Sequence, residues 1–305
     1  MMKLAPHKPE QNVTHLPKLL FAAWLATAAA IPSMAAPAPV TPAAKAFQVG
    51  AVRLHALRDE LNVVPNDGSV FGTDVGPAAV GAALRKAGVS DKSLPLGVDA
   101  LLVGLPNRLV LIDTGLGPKV GGVLLQSLRL AGARPGQIKD VLITHSHPDH
   151  IGGLVTADGR LAFPNATIRM SNAEWRWLSA QGGPLVATIR PKVKTFKPGA
   201  EVVPSIRAIA LPGHTPGHVG YEITSRGQRL LDIGDSAHSA VISLADPDWT
   251  IGYDTDAKQG RANRVALLAR LAASKERIFA PHFPFPGVGT IARAGKGYAW
   301  RPSLK

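Results

Sequence analysis

The sequence predicts an α/β fold, and three observations carry that prediction. Apolar runs of strand length, at residues 109–112, 141–144, 206–211, 221–224 and 230–233, recur along the chain, most of them halting at Gly, Pro, His or Asp. Between them lie segments with helical spacing and helix punctuation. The chain also has 305 residues, 46% of them hydrophobic, which suffices for one large core, and it contains no internal repeat.

The elements follow in order. Lys3, Lys8 and Lys18 precede an apolar run at residues 19–31, and Ser33-Met34-Ala35 then offers small residues where a signal peptidase cuts, so residues 1–35 read as a secretory signal peptide. That run is too short to cross a bilayer comfortably, and no stable membrane span is expected. Residues 36–46, rich in Pro and Ala, read as a flexible leader, and the folded domain is expected over residues 47–305. Val52, Leu54 and Ala56 alternate with Arg53, His55 and Leu57 as in a half-buried strand. Residues 77–88 form a helical segment with Pro77 in its first turn and Gly88 after its end. Leu124, Leu125, Leu128 and Leu130 mark a second helix, stopped at Gly132. Ser171 and Glu174 have the spacing of a capping box and open a short helix, in which Trp175 and Trp177 pack against the domain. Residues 256–275 make a third long helix, with Val265, Leu268 and Leu271 on the inner face and arginines outside. Residues 62–75 and 182–197 are expected to be pocket-forming loops.

Composition bounds the partners. The absence of Cys is compatible with an oxidising compartment, because a domain this large needs no disulfide. A net charge of +13 raises nucleic acid as a partner, but the basic residues are scattered and aromatics make up only 5%, so no nucleic acid is expected. Solvated charge near an anionic envelope is the simpler reading, and a secreted, periplasmic address follows from the leader.

The chemistry is concentrated in Thr144-His145-Ser146-His147-Pro148-Asp149-His150, directly after an apolar run. Alternate residues His145 and His147 point one way and Asp149 and His150 the other, so one loop can serve two cations. Imidazole nitrogen and carboxylate oxygen are the donors that borderline divalent metals prefer. The remaining ligands come from three other strand ends. His214, in Gly213-His214-Thr215-Pro216, is the third ligand of the first metal, and His218 has the lesser claim. Asp235 follows a strand and Gly234, where it can bridge both cations; Asp232 lies inside the strand and suits a structural hydrogen bond. His282 ends the run Ile278-Phe279-Ala280-Pro281 and completes the second metal with Asp149 and His150.

Strands that end in this succession of ligands resemble the metallo-β-lactamase superfamily over nearly the whole mature chain. Leu109 to Gly115 resembles the strand and turn that precede the metal loop in that superfamily, and the resemblance implies that Asp113 orients the loop from behind. Phe163-Pro164-Asn165-Ala166, Phe285-Pro286-Gly287-Val288-Gly289 and Gly295-Lys296-Gly297-Tyr298 are similar to the methyl parathion hydrolase-like members, beside the quorum-quenching lactonase-like ones. Two departures stand out. The chain has Asp235 near the position where true β-lactamases place Cys or Ser, and the segment after Gly115 is shorter than in the organophosphate enzymes. Trp177 falls where those enzymes carry a Trp that lines the pocket.

The resemblance implies a four-layer αβ/βα sandwich holding two divalent metal ions, zinc foremost, with Mn, Co or Fe accepted by the same donors. It implies a metal-dependent hydrolase, lactonase- or phosphotriesterase-like, that attacks lactones, esters or phosphotriesters with a hydroxide held between the ions. Asp149 or Asp235 would move the proton. His238 stands where related lactonases carry a Tyr and would donate a hydrogen bond to the substrate. A β-lactamase or glyoxalase II-like thioesterase, and a non-hydrolytic metal-binding envelope protein, are the alternatives. The partner is a small-molecule substrate, and the relatives suggest a homodimer.

Overall fold

The computed structural model describes residues 40–304; the signal-peptide reading of residues 1–35 lies outside them. Among the described residues, fourteen strands form two sheets. The first runs, in chain order and in space, through β1 (Ala44–Val49), β2 (Val52–Pro65), β3 (Ser93–Leu105), β4 (Arg108–Ile112), β5 (Ile138–Leu142), β6 (Thr167–Ser171) and β7 (Val193–Phe196). The second sheet holds β8 (Glu201–Val203), β9 (Ile206–Ala210), β10 (Val219–Ser225), β11 (Gln228–Asp232), β12 (Arg277–Phe279), β13 (Val288–Ala294) and β14 (Gly297–Pro302), again neighbours in chain order. Seven α-helices join them: α1 (Pro77–Lys86), α2 (Leu124–Leu130), α3 (Pro148–Ile151), α4 (Asn172–Gln181), α5 (Gly183–Ile189), α6 (Ile242–Ala245) and α7 (Ala257–Ser274).

The inner faces of the sheets pack on each other. Phe47, Leu54, Leu101 and Ile112 of the first meet Ile206, Tyr221, Leu230 and Phe279 of the second. The outer face of the first sheet, with Leu57, Leu111 and Val141, is covered by Leu128 of α2, Leu178 of α4 and Ile189 of α5. Leu231, Ile278 and Ile291 of the second are covered by α7 through Leu267, Leu268 and Leu271. The result is the four-layer αβ/βα sandwich. Because both sheets are covered on both faces, their central strands need not alternate polar with apolar residues. β3 is such a strand, buried without a break from Leu96 to Val103, and for that reason its sequence carries no period-two signal.

Several boundaries differ from the sequence reading. β1 begins at Ala44, inside the stretch read as a leader, because Ala44, Lys45 and Ala46 pair with Leu57, Ala56 and His55 of β2. Residues 182–197 are not a loop; they form α5, a short 3-10 turn and β7. In α7 the inner face is turned from the one expected: Val265 is exposed, while Arg264 is buried beside Leu267, Leu268 and Leu271. No described helix is long and apolar enough to cross a membrane.

The pairs β4–β5 and β11–β12 are parallel, so each delivers two carboxyl ends to the same rim. In sheets of this kind ligands bind beyond those ends.

Candidate active site

The candidate ligands lie in the segments that follow four strand ends: His145, His147, Asp149 and His150 after β5, His214 after β9, Asp235 after β11 and His282 after β12. β5 ends at Leu142, and Pro148, whose fixed φ suits a first helical turn, restarts the chain as α3 with His147 as its N-cap residue. The intervening loop is held by Asp113, itself in a left-handed conformation with φ of 59° just past β4. Its Oδ1 accepts the Thr144 amide at 2.9 Å, and its Oδ2 accepts the Thr144 hydroxyl at 2.7 Å and lies 2.8 Å from His150 Nδ1. A proton on Nδ1 leaves His150 Nε2 free to ligate.

Two clusters of donors converge. In the first, His147 Nδ1 lies 3.2 Å from His145 Nε2 and 2.9 Å from His214 Nε2, while Asp235 Oδ2 lies 3.6 and 3.2 Å from the same two nitrogens. In the second, His150 Nε2 is 3.1 Å from Asp235 Oδ1 and 3.6 Å from Asp149 Oδ2, and His282 Nε2 is 3.0 Å from Asp235 Oδ2 and 3.7 Å from Asp149 Oδ2. Within each four, the ligand atoms lie within 4.8 Å of one another. Donors about 2.1 Å from a tetrahedral ion stand roughly 3.4 Å apart, so both clusters have the dimensions of a zinc site. His150 Nε2 and Asp235 Oδ1 are buried and lack any hydrogen-bond partner, an arrangement that a shared cation resolves and that is costly otherwise. The donor sets therefore fit the implied ions. All seven predicted residues come together, with Asp235 common to both clusters.

Electrostatics divides the histidines. Burial holds His147 down at about 4 and His145 well below the ordinary value, so both present lone pairs. For His214 burial acts the same way but is outweighed by Asp235 and Asp254, which raise it to about 9. His150 is likewise raised, against burial, by Asp235, Asp149 and Asp113. Asp235, despite a burial cost, is held well below the carboxylate range by the surrounding imidazoles.

The residues around the clusters are already committed. His218 Nδ1 donates to the Leu211 carbonyl at 2.7 Å and its Nε2 accepts the Asp235 amide at 3.0 Å, which leaves no lone pair for a metal. Asp232 accepts the Gly234 amide at 3.0 Å inside the core. His282 Nδ1 is bonded to the Gly97 carbonyl at 2.5 Å, and His214 Nδ1 lies 2.9 Å from Asp254 Oδ1. Glu174 is the residue that sequence reasoning misplaced. Ser171 does cap α4 by accepting the Glu174 amide, but the Glu174 carboxylate does not turn back to close a capping box. It accepts the Ser146 amide and hydroxyl on one oxygen and the Thr215 hydroxyl and Gly217 amide on the other. It thus ties the His145–His150 loop to the His214 loop.

The clusters open into a cavity of about 460 Å³ whose wall includes Asn62, Leu96, Leu116, Asp149, His238 and Tyr253. His238 is buried and stacks on His282 with ring centroids 5.2 Å apart; its Nε2 lies 3.1 Å from Asp235 Oδ2, yet neither ring nitrogen has a hydrogen bond. Trp177 meets the His147 ring edge-on at 6.0 Å, whereas Trp175 packs against the outer core. Of the two segments expected to shape the pocket, 62–75 contributes Asn62 and 182–197 contributes nothing to this wall.

A family model described as the metallo-beta-lactamase superfamily matches residues 94–282, more than half of the chain. The chain belongs to the metallo-beta-lactamase superfamily. All seven candidate ligands fall inside the matched segment, whose last residue is His282. Within the superfamily, the chain is similar to AidC, described as a dizinc quorum-quenching lactonase in complex with the product N-hexanoyl-L-homoserine. The two are 30% identical with a TM-score of 0.80, over 87% of this chain and 98% of that one. It is similar as well to AbOPH, described as a hydrolase in the beta lactamase superfamily, at 31% identity and a TM-score of 0.79 over 87% and 99%. Among curated relatives, an N-acyl homoserine lactonase of Bacillus cereus is 28% identical over 131 residues, 42% of this chain and half the length of that protein. A hydroxyacylglutathione hydrolase of Acidiphilium cryptum (strain JF-5) is 30% identical over 190 residues, 55% of this chain and 72% of that protein.

Proposed function

We propose that the protein is an exported dinuclear zinc hydrolase that opens lactone rings, with carboxylic esters and phosphotriesters as lesser substrates. The observation that carries this reading is Asp235, shared by two four-donor clusters on the wall of one cavity. A volume of about 460 Å³ falls within the size range of small-molecule sites. The similarity to a lactonase with its ring-opened product supports the substrate class, and the Lys-flanked apolar run within residues 1–35 supports export.

Bound ions supply Lewis acidity and lower the pKa of water. The chain supplies the rest. His145, His147 and His214 would hold one ion and Asp149, His150 and His282 the other, with Asp235 common to both, beside a single cavity. Asp149, on the cavity wall, accepts the proton that the attacking water loses and returns it to the departing oxygen. An alkoxide leaves more readily than an amide nitrogen, which needs a stronger proton donor; this favours lactones and esters over β-lactams. His238 donates to the substrate oxygen from the same wall.

The test is metal analysis of the purified protein together with turnover of an N-acyl homoserine lactone, an aryl phosphotriester, a cephalosporin and a glutathione thioester. Two ions per chain and fastest turnover of the lactone are expected, with His147→Ala inactive on all four. Preference for the thioester would replace the lactonase reading, and an active His147→Ala would remove the site.

A further inference from the structure

The largest fully buried side chain of the domain is a charged one, Arg264 of α7, at 1% exposure. All three of its guanidinium nitrogens face one loop: Nε donates to the Pro247 carbonyl at 2.8 Å, Nη2 to the Trp249 carbonyl at 2.6 Å, and Nη1 to Asp254 Oδ2 at 3.4 Å. That loop has two outputs at adjacent residues. Tyr253, with Gly252, forms part of the cavity wall, and Asp254 Oδ1 is 2.9 Å from His214 Nδ1.

The backbone around this junction is packed as tightly as glycine permits. Thr255 and Asp256 donate their amides to the His214 and Gly213 carbonyls at 2.9 and 3.0 Å. A Cβ on Gly213, at φ +119°, would lie 2.1 Å from the Gly260 amide nitrogen, and one on Gly260 would lie 2.5 Å from Asp254 Oδ2. The first turns of α7, the Asp254 carboxylate and the His214 loop therefore occupy one rigid contact, with no room for the carboxylate to shift toward the helix.

We propose that Arg264 is a positioning residue that fixes, through Asp254, the ring orientation of His214, and through the Pro247 and Trp249 carbonyls, the Gly252–Tyr253 wall of the substrate cavity. One buried fork thereby couples the first ion position to the shape of the pocket. Lysine cannot replace it, since a point charge has no planar fork to hold two carbonyls and a carboxylate at once. The inference rests on the reading of His214 as a metal ligand.

The test compares wild type with Arg264→Lys, Arg264→Met, Asp254→Ala and the double variant Arg264→Met/Asp254→Ala. The protein is stripped and titrated with Co²⁺, whose d–d absorption reports each site, against a competing chelator. Partners that orient a ligating histidine typically change metal affinity by about 10- to 100-fold, so Arg264→Lys and Arg264→Met should each weaken one of two Co²⁺ sites about tenfold or more and alter its spectrum. In loaded enzyme KM should rise. Adding Arg264→Met to Asp254→Ala should cost no further affinity at that site, even though thermal stability falls again. Full additivity in metal affinity, or a lower Tm with both Co²⁺ sites and their spectra unchanged, overturns the proposal. Should Arg264→Met not fold, Arg264→Lys with unchanged Co²⁺ binding overturns it equally. If wild type takes up no metal, it is the metal-ligand reading that fails, and that outcome is distinct.

Discussion

Glu174 accepts both the amide and the hydroxyl of Ser146 on a single carboxylate oxygen, at 2.7 and 2.5 Å. Its other oxygen takes the Thr215 hydroxyl and the Gly217 amide, at 2.7 and 3.0 Å. A carboxylate can accept all four donors; a carboxamide cannot, because its NH₂ group would face two of them. Glu174→Gln should therefore destabilise the metal-free protein by about 2–4 kcal/mol, the cost of weakened charge-assisted bonds and buried unpaired donors. Urea unfolding measures it, and a change below the usual scatter of surface substitutions would show that the two loops hold together without this staple.

Asp235 is the residue common to both clusters: its Oδ2 lies 3.2 Å from His214 Nε2 in one and 3.0 Å from His282 Nε2 in the other, while its Oδ1 lies 3.1 Å from His150 Nε2 in the second. Asp235→Ala should lower the metal content from two ions to one or fewer. Losing several kcal/mol of transition-state stabilisation corresponds to a fall in kcat of about a thousandfold. Elemental analysis and lactone turnover check both, and retention of two ions would rule out sharing.

How far the sequence discloses this site depends on how local the signal is. His145, His147, Asp149 and His150 are legible because four donors in six positions have no bland explanation, and His214, Asp235 and His282 because each ends a strand. His218 and Asp232 can be set aside from position alone, and the structure places both in ordinary hydrogen bonds. Glu174 is misread because its spacing to Ser171 fits a local motif, while its partners lie 28 to 43 residues away. Arg264 is misread because a charged residue is assigned to the solvent face unless its partners are known, and Pro247, Trp249 and Asp254 are brought to it only by the folded loop. β3 is invisible to periodicity because both of its faces are covered.

Metal uptake should expel protons. Burial opposes charge on His214, but Asp235 and Asp254 raise it to about 9, and His150 is raised well above its ordinary value, against burial, mainly by Asp235, so these two rings are cationic at neutral pH in the ion-free protein; His282 is shifted in the same direction. His145 and His147, lowered chiefly by burial, are neutral imidazoles with no second proton to release. Ligation requires neutral imidazole, so affinity rises with pH toward about 9. The sign for stability is opposite. A raised histidine stabilises the ion-free fold below its unfolded value of 6.5, and that contribution is lost as pH climbs through about 9. Calorimetry of Zn²⁺ binding at pH 7 in two buffers of different ionisation enthalpy should give more than one proton released per chain; zero would contradict the charge assignment.

His238 has both ring nitrogens buried and unbonded, an expensive arrangement unless something in the cavity uses them. Burial holds the ring at about 4, so at neutral pH it is a neutral imidazole with one N–H to give and no charge to compete with the ions. Its Nε2 is 3.1 Å from Asp235 Oδ2, close enough to be mistaken for a ligand, yet both clusters already have four donors without it. A donor to the substrate oxygen should matter to the chemical step more than to binding. His238→Ala is expected to lower kcat about 100-fold, in line with the loss of a positioned proton donor, with two ions retained. His238→Asn, which keeps an N–H, should recover part of that rate. Unchanged kcat in His238→Ala would release the residue from catalysis, and a metal content that falls to one ion would make it a ligand instead.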